Sequence, residues 1–137
     1  MAPECLMQIP CVREYLSLDN ELDRFDCAAD LALLTPGLEE DECTEENRIP
    51  GCDSGLYYRL SLENGRIRLI TQSGSLLVKG LGAMLAAVLA ACPAREFASE
   101  TAGLADLLYA RGLIEPERRK GLAELEAAVT AFAKKCQ

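Results

Sequence analysis

The sequence predicts an α+β fold in which a small antiparallel hairpin over residues 55–72 packs against helices. Three observations carry that prediction. An alternating apolar and polar stretch and its return flank Asn64-Gly65. Several other segments repeat apolar residues at helical spacing. The chain of 137 residues, half of them apolar, is long enough to bury a core without disulfide or metal staples. No internal repeat, low-complexity tract or linker divides it, so residues 1–137 read as one domain.

Taken in order, residues 1–10 carry no pattern and are expected to be loose. A short helix is expected from Pro10 to Leu16. From Asp19 to Leu34 the apolar positions Leu22, Phe25, Ala29 and Ala32 predict an amphipathic helix, with Thr35-Pro36-Gly37 as its stop. Residues Leu38 to Ile49 are acidic and aperiodic, and they lead into Pro50-Gly51, a turn-forming pair that places Cys52 on a loop. Leu56, Tyr58, Leu60 and Leu62 then alternate with Tyr57, Arg59, Ser61 and Glu63, as in a half-buried strand. Asn64-Gly65 suits a two-residue type I′ turn, because both positions tolerate positive φ, and Arg66 to Gln72 forms the return strand.

Ser73 or Ser75 can cap the next helix, whose Leu77, Leu81, Met84, Leu85 and Val88 form a broad apolar face ending before Pro93. Further helices are expected around Pro93 to Ala98 and from Thr101 to Arg111, the latter stopped by Gly112. Pro116 opens a final helix with Leu122, Leu125, Val129 and Phe132 as its buried stripe.

The formal charge of −8, from 22 acidic against 14 basic residues, disfavours nucleic acid and anionic membrane surfaces and suits a basic protein partner. The acidic run Glu39 to Glu46 reads as a solvated loop. The most apolar stretch, Leu76 to Cys92, is interrupted by Lys79, Gly80 and Gly82 and reads as a buried helix, not a membrane span. The start shows no signal-peptide pattern, and seven scattered cysteines without framework spacing fit a reducing compartment, so a cytoplasmic location is expected.

The chain has no histidine, which removes Cys-His and serine-triad catalysis and the commonest metal ligand. No Cys-x-x-Cys pair, Walker loop or strand-linked Gly-x-Gly-x-x-Gly occurs, and Gly80-Leu81-Gly82 falls inside a helix. Thiol chemistry remains. Cys27 and Cys92 read as small buried hydrophobes on helices, while Cys5, Cys11 and Cys136 lie near the ends of the chain without defined positions. Cys43 is surrounded by negative charge, which disfavours a thiolate. Cys52 differs, because Gly51 precedes it, a turn positions it and a strand follows Asp53-Ser54. On these local features alone an inert loop cysteine is the better account of it.

The stretch Asn47-Arg48-Ile49-Pro50-Gly51-Cys52-Asp53-Ser54 resembles the signature of the SufE sulfur-acceptor family, in which the cysteine accepts sulfur. Val78-Lys79-Gly80-Leu81 is similar to the opening of that family's core helix. Leu113-Ile114-Glu115-Pro116-Glu117-Arg118-Arg119-Lys120-Gly121-Leu122 resembles its C-terminal Leu-Thr-Pro-x-Arg-x-x-Gly-Leu pattern. The three occur in the family's order, over roughly Ala29 to the end. Two departures stand out: Ser73-Gly74 replaces the family's Ser-Asp, and Tyr57 or Tyr58 replaces a tryptophan on the first strand.

The resemblance implies a SufE/IscU-like fold and a pyridoxal-phosphate cysteine desulfurase as partner, with Cys52 as the persulfide acceptor and Arg118 approaching the active loop to favour its anionic form. It implies no cofactor or resident metal for the chain itself. Sulfur would pass to iron–sulfur cluster assembly or another acceptor, making the protein a sulfur-transfer accessory and not a free-standing enzyme. Two other functions share the expected fold: a cluster scaffold using Cys43 and Cys52, and a regulatory module that docks on a desulfurase without carrying sulfur.

Overall fold

The computed structural model describes residues 1–137. Its architecture is α+β, with six α-helices and one antiparallel hairpin. Helices α1 (Pro3–Leu6), α2 (Pro10–Ser17) and α3 (Glu21–Leu34) precede strands β1 (Leu56–Glu63) and β2 (Arg66–Ser73). Helices α4 (Leu76–Ala91), α5 (Leu104–Ala110) and α6 (Pro116–Lys135) follow. Asn64 and Gly65 have φ of 54° and 75°, the left-handed pair that a type I′ turn requires. The register runs from Glu63 opposite Arg66 at the turn to Leu56 opposite Ser73 at the base. The expected alternation holds at the base, where Leu56 is buried, and fades toward the tip, where Leu62 is exposed.

Helix α4 is the centre of the molecule, packing against β2 on one side and α3 on another, with further contacts to α2 and α6. Its N-terminus is capped by Ser75, whose Oγ accepts a hydrogen bond from the Val78 amide at 3.2 Å. Gly80 and Gly82 serve its two packed faces. A Cβ on Gly80 would lie 2.1 Å from the carbonyl oxygen of Ala28 in α3, and one on Gly82 would lie 2.6 Å from Thr71 Oγ1 in β2. Both glycines therefore bring a neighbouring backbone or strand close.

This close approach revises the reading of α3. Ala29 and Ala32 are buried as expected, but Leu22 and Phe25, expected on the same stripe, are 70% and 42% exposed, and Ala28 is buried in their stead. Only small residues fit where Gly80 draws the two helices together. The expected looseness of residues 1–10 is likewise replaced by order: α1 forms one turn and Leu6, 1% exposed, joins the core. The segment Pro93 to Ala98 shortens to a 3-10 turn at Ala94–Phe97 that buries Phe97. Buried apolar residues from Leu6 to Ala133 form one continuous cluster.

Candidate functional site

Residues 50–55 form a loop closed at its base by the pairing that precedes β1. The Ile49 amide donates to the Leu56 carbonyl at 2.8 Å, and Arg48 bridges to Tyr57 in antiparallel fashion. Inside the loop the Gly55 amide donates to the Cys52 carbonyl at 3.1 Å, a tight turn that Gly55 permits with φ of 75°. Ile49 and Leu56 are both buried, so the loop leaves the core and returns to it across six residues. The acidic segment before it is solvated, as expected, with Glu39, Glu40, Asp41, Glu45 and Glu46 exposed, but it also carries local order. Two 3-10 turns, Glu40–Glu42 and Glu45–Asn47, are tied down by the Glu42–Arg59 ion pair and by Asn47 Nδ2 donating to the Glu42 carbonyl at 2.8 Å.

Cys52 is 6% exposed, turned inward from its loop, whereas Cys27 and Cys92 are only half-buried. This order is the reverse of the one expected from sequence. The Cys52 thiol borders a small cavity of about 10 Å³ between β1, α4 and α6, lined by Leu56, Val78, Leu81, Arg118, Gly121 and Leu122. A water molecule needs roughly 10–15 Å³ of such space, so the sulfur sits in a tight, mostly apolar slot with room for one water at most. All three stretches that carry the family resemblance meet here, although the contact between the first and the last of them, Ser54 with Arg118, joins residues 64 positions apart in the chain.

Helix α6 holds the loop at successive points. Arg118 Nη1 donates to Ser54 Oγ at 2.9 Å, Gly121 lies beneath Cys52, and Lys120 and Glu124 lie beside Gly51. Arg118 and Gly121 are three residues apart and so share a helix face, which is why one helix can clasp both halves of the loop. Of the two site residues predicted, Cys52 and Arg118, both line the slot. Sequence reasoning missed Ser54 as the partner of Arg118, and Gly121 and Lys120 as supports. Their signal was present only as positions within the family-like stretches, Ser54 in the first and Lys120 and Gly121 in the last.

The remaining thiols do not gather into a second site. No group of three or more Cys, Asp or Glu side chains is placed to hold a metal ion. Burial raises the pKa of Cys27 to about 11, with Glu14, Cys11 and Asp30 adding to the rise. Burial also raises Cys11 and Cys92, so all three stay protonated and weakly nucleophilic at neutral pH. Cys43, half-buried, places its Sγ 3.6 Å from the Glu39 carbonyl.

The model of the family SufE, described as an Fe-S metabolism associated domain, matches residues 10–133. The chain belongs to the SufE family. Membership ties it to iron–sulfur metabolism, and every residue of the slot lies inside the matched span. Quinolinate synthase, chloroplastic, from Arabidopsis thaliana is 32% identical over 111 residues, which is 80% of this chain but 15% of that protein. The chain thus spans a small part of that relative's length. A solution structure of a hypothetical protein from Thermus thermophilus superposes with a TM-score of 0.74 at 21% identity, covering 98% of this chain and 97% of that one, and shares its fold. No helix of this SufE-family chain is long and apolar enough to cross a membrane.

Proposed function

We propose that residues 1–137 act as one SufE domain that accepts sulfur on Cys52 from the persulfide of a pyridoxal-phosphate cysteine desulfurase and relays it to iron–sulfur cluster assembly or another acceptor. The observation that carries the reading is the position of Cys52. The one cysteine in the family-like signature is also the one presented on a closed loop and gripped by α6. Chemically the step is thiol exchange. The Cys52 thiolate attacks the terminal sulfur of the desulfurase persulfide, a new sulfur–sulfur bond forms, the old one breaks, and the desulfurase thiolate leaves. No net oxidation occurs, and no sulfide is released.

The tight slot adds a requirement. An attacking thiolate must reach the donor sulfur, so docking of the desulfurase must draw residues 50–55 away from α6, breaking the Arg118–Ser54 hydrogen bond. Without a partner the thiol stays sheltered and shows little chemistry. Incubation with a cysteine desulfurase, its cofactor and cysteine should add the mass of one sulfur atom to the intact protein, removable by a reducing thiol and absent from Cys52→Ser. Failure of the native protein to gain sulfur from a competent desulfurase, or retention of the added sulfur by Cys52→Ser, would reject the reading.

A further inference from the structure

Gly121 stands in the interior of α6, with more than a turn of helix on either side, and is buried. Glycine there is unfavourable relative to alanine, because it leaves the backbone freer in the unfolded chain. Something in the folded state must offset that loss. A Cβ placed on Gly121 would meet Cys52 Cβ at 3.3 Å, Cys52 Sγ at 3.5 Å and Cys52 Cα at 3.8 Å, so its three nearest neighbours all belong to one residue. The first of these distances is tighter than a relaxed Cβ contact. The cavity alongside, at about 10 Å³, leaves the thiol no room to slide away from an added methyl group.

From this geometry we infer that Gly121 is a positioning residue that sets the inward, sheltered state of Cys52. The gap in α6 is shaped for the thiol, and a side chain there pushes the loop toward its outward state. The inference deepens the reading of Cys52 as the sulfur acceptor and rests on it for its purpose, though not for its test. The neighbouring supports cannot take over this task. Arg118, though it lines the slot, makes its hydrogen bond to the Ser54 hydroxyl, and Lys120 and Glu124 lie beside Gly51, whereas Gly121 is the one beneath the sulfur.

The test follows alkylation of each cysteine by peptide-resolved mass spectrometry in the native protein, Gly121→Ala and Gly74→Ala. Gly74 has open space around it and serves as the control for a glycine-to-alanine change. The Cys52 peptide of Gly121→Ala is expected to label at least about tenfold faster than in either other protein, with Cys27 and Cys92 unchanged. An unchanged Cys52 rate in a folded Gly121→Ala protein overturns the inference.

Urea midpoints in a Cys52→Gly background provide the second measurement. There Gly121→Ala should raise the midpoint, since the obstructing side chain is gone, while in the native background it should lower it or leave it unmoved. An equal shift in both backgrounds also overturns the inference. Should Gly121→Ala fail to fold, recovery of folding in the Cys52→Gly background upholds it, and failure there as well overturns it. Neither readout involves a desulfurase, so loss of sulfur loading in the native protein would reject the carrier function while leaving this assignment intact.

Discussion

At the scale of single residues, burial acts on two chemically active groups in different ways. Cys52 is sheltered by apolar walls and a helix glycine, so its exposure to solvent depends on the position of its loop. Glu126, 4% exposed, is sheltered too, but its Oε1 accepts the Leu104 amide at 2.7 Å and the Ala105 amide at 3.4 Å. It supplies the N-terminal cap that α5 lacks, because Gly103 precedes that helix and offers no side chain. Burial pushes the Glu126 carboxyl up to about 7 from 4.5, against the opposing pull of those two amides. The folded state therefore binds more protons than the unfolded state between these values. Stability contributed by protonated Glu126 is present at low pH and is lost as pH rises from about 4.5 through about 7. The expected size is on the order of 3 kcal/mol. Glu126→Gln keeps the acceptor oxygen and removes the titration, so its unfolding free energy should fall less than that of the native protein between pH 5 and pH 8. Equal pH slopes for the two proteins would contradict this.

At the scale of elements, α4 and α6 each use glycine to set a distance. In α4 the approach is to backbone: a methyl group on Gly80 cannot be accommodated 2.1 Å from the Ala28 carbonyl oxygen unless α3 moves. Gly80→Ala should therefore destabilise the protein by roughly 3 kcal/mol despite its better helix propensity, measurable as a lowered urea midpoint. A neutral or stabilising outcome would mean that α3 shifts at little cost. In α6 the neighbour is a loop side chain that can swing away, so Gly121→Ala is expected to alter exposure of Cys52 more than stability. The hairpin follows from local chemistry, since Asn64-Gly65 specifies its turn and alternation specifies its register. The clasp between α6 and residues 50–55 does not, because it joins segments far apart in the chain.

At the scale of the whole molecule, buried residues from Leu6 to Ala133 share one cluster, and the N-terminal turn contributes to it. Leu6→Ala should then destabilise the protein by roughly 3 kcal/mol, the usual cost of removing a buried leucine side chain, with one cooperative transition in thermal or urea unfolding. A near-zero effect would show that α1 is dispensable. The site depends on the same integration. Cys52 comes from the loop before β1, Val78 and Leu81 from α4, and Arg118 and Gly121 from α6, so its geometry exists only once the hairpin and both helices have docked.

The sequence by itself determined the α+β class, the hairpin and its turn, a helix start at Ser73 or Ser75, the helix ends at Gly112 and Pro116, and the three stretches that mark a SufE-family chain. These features are local: periodicity, capping chemistry and φ preference act within a few residues. The same local rules misassigned Leu22 and Phe25 in the buried stripe of α3 and left the start of the chain without structure, since neither Ala28 against Gly80 nor Leu6 in the core can be read from spacing. They also expected half-exposed Cys27 and Cys92 to be more buried than Cys52. Only the tertiary structure decided that Cys52 points inward, that Arg118 holds Ser54 and that Gly121 makes room for the sulfur. The physical reason is that burial and contact at this site are set by surfaces brought together from distant parts of the chain, and a glycine or a loop cysteine carries no local pattern announcing what will pack against it.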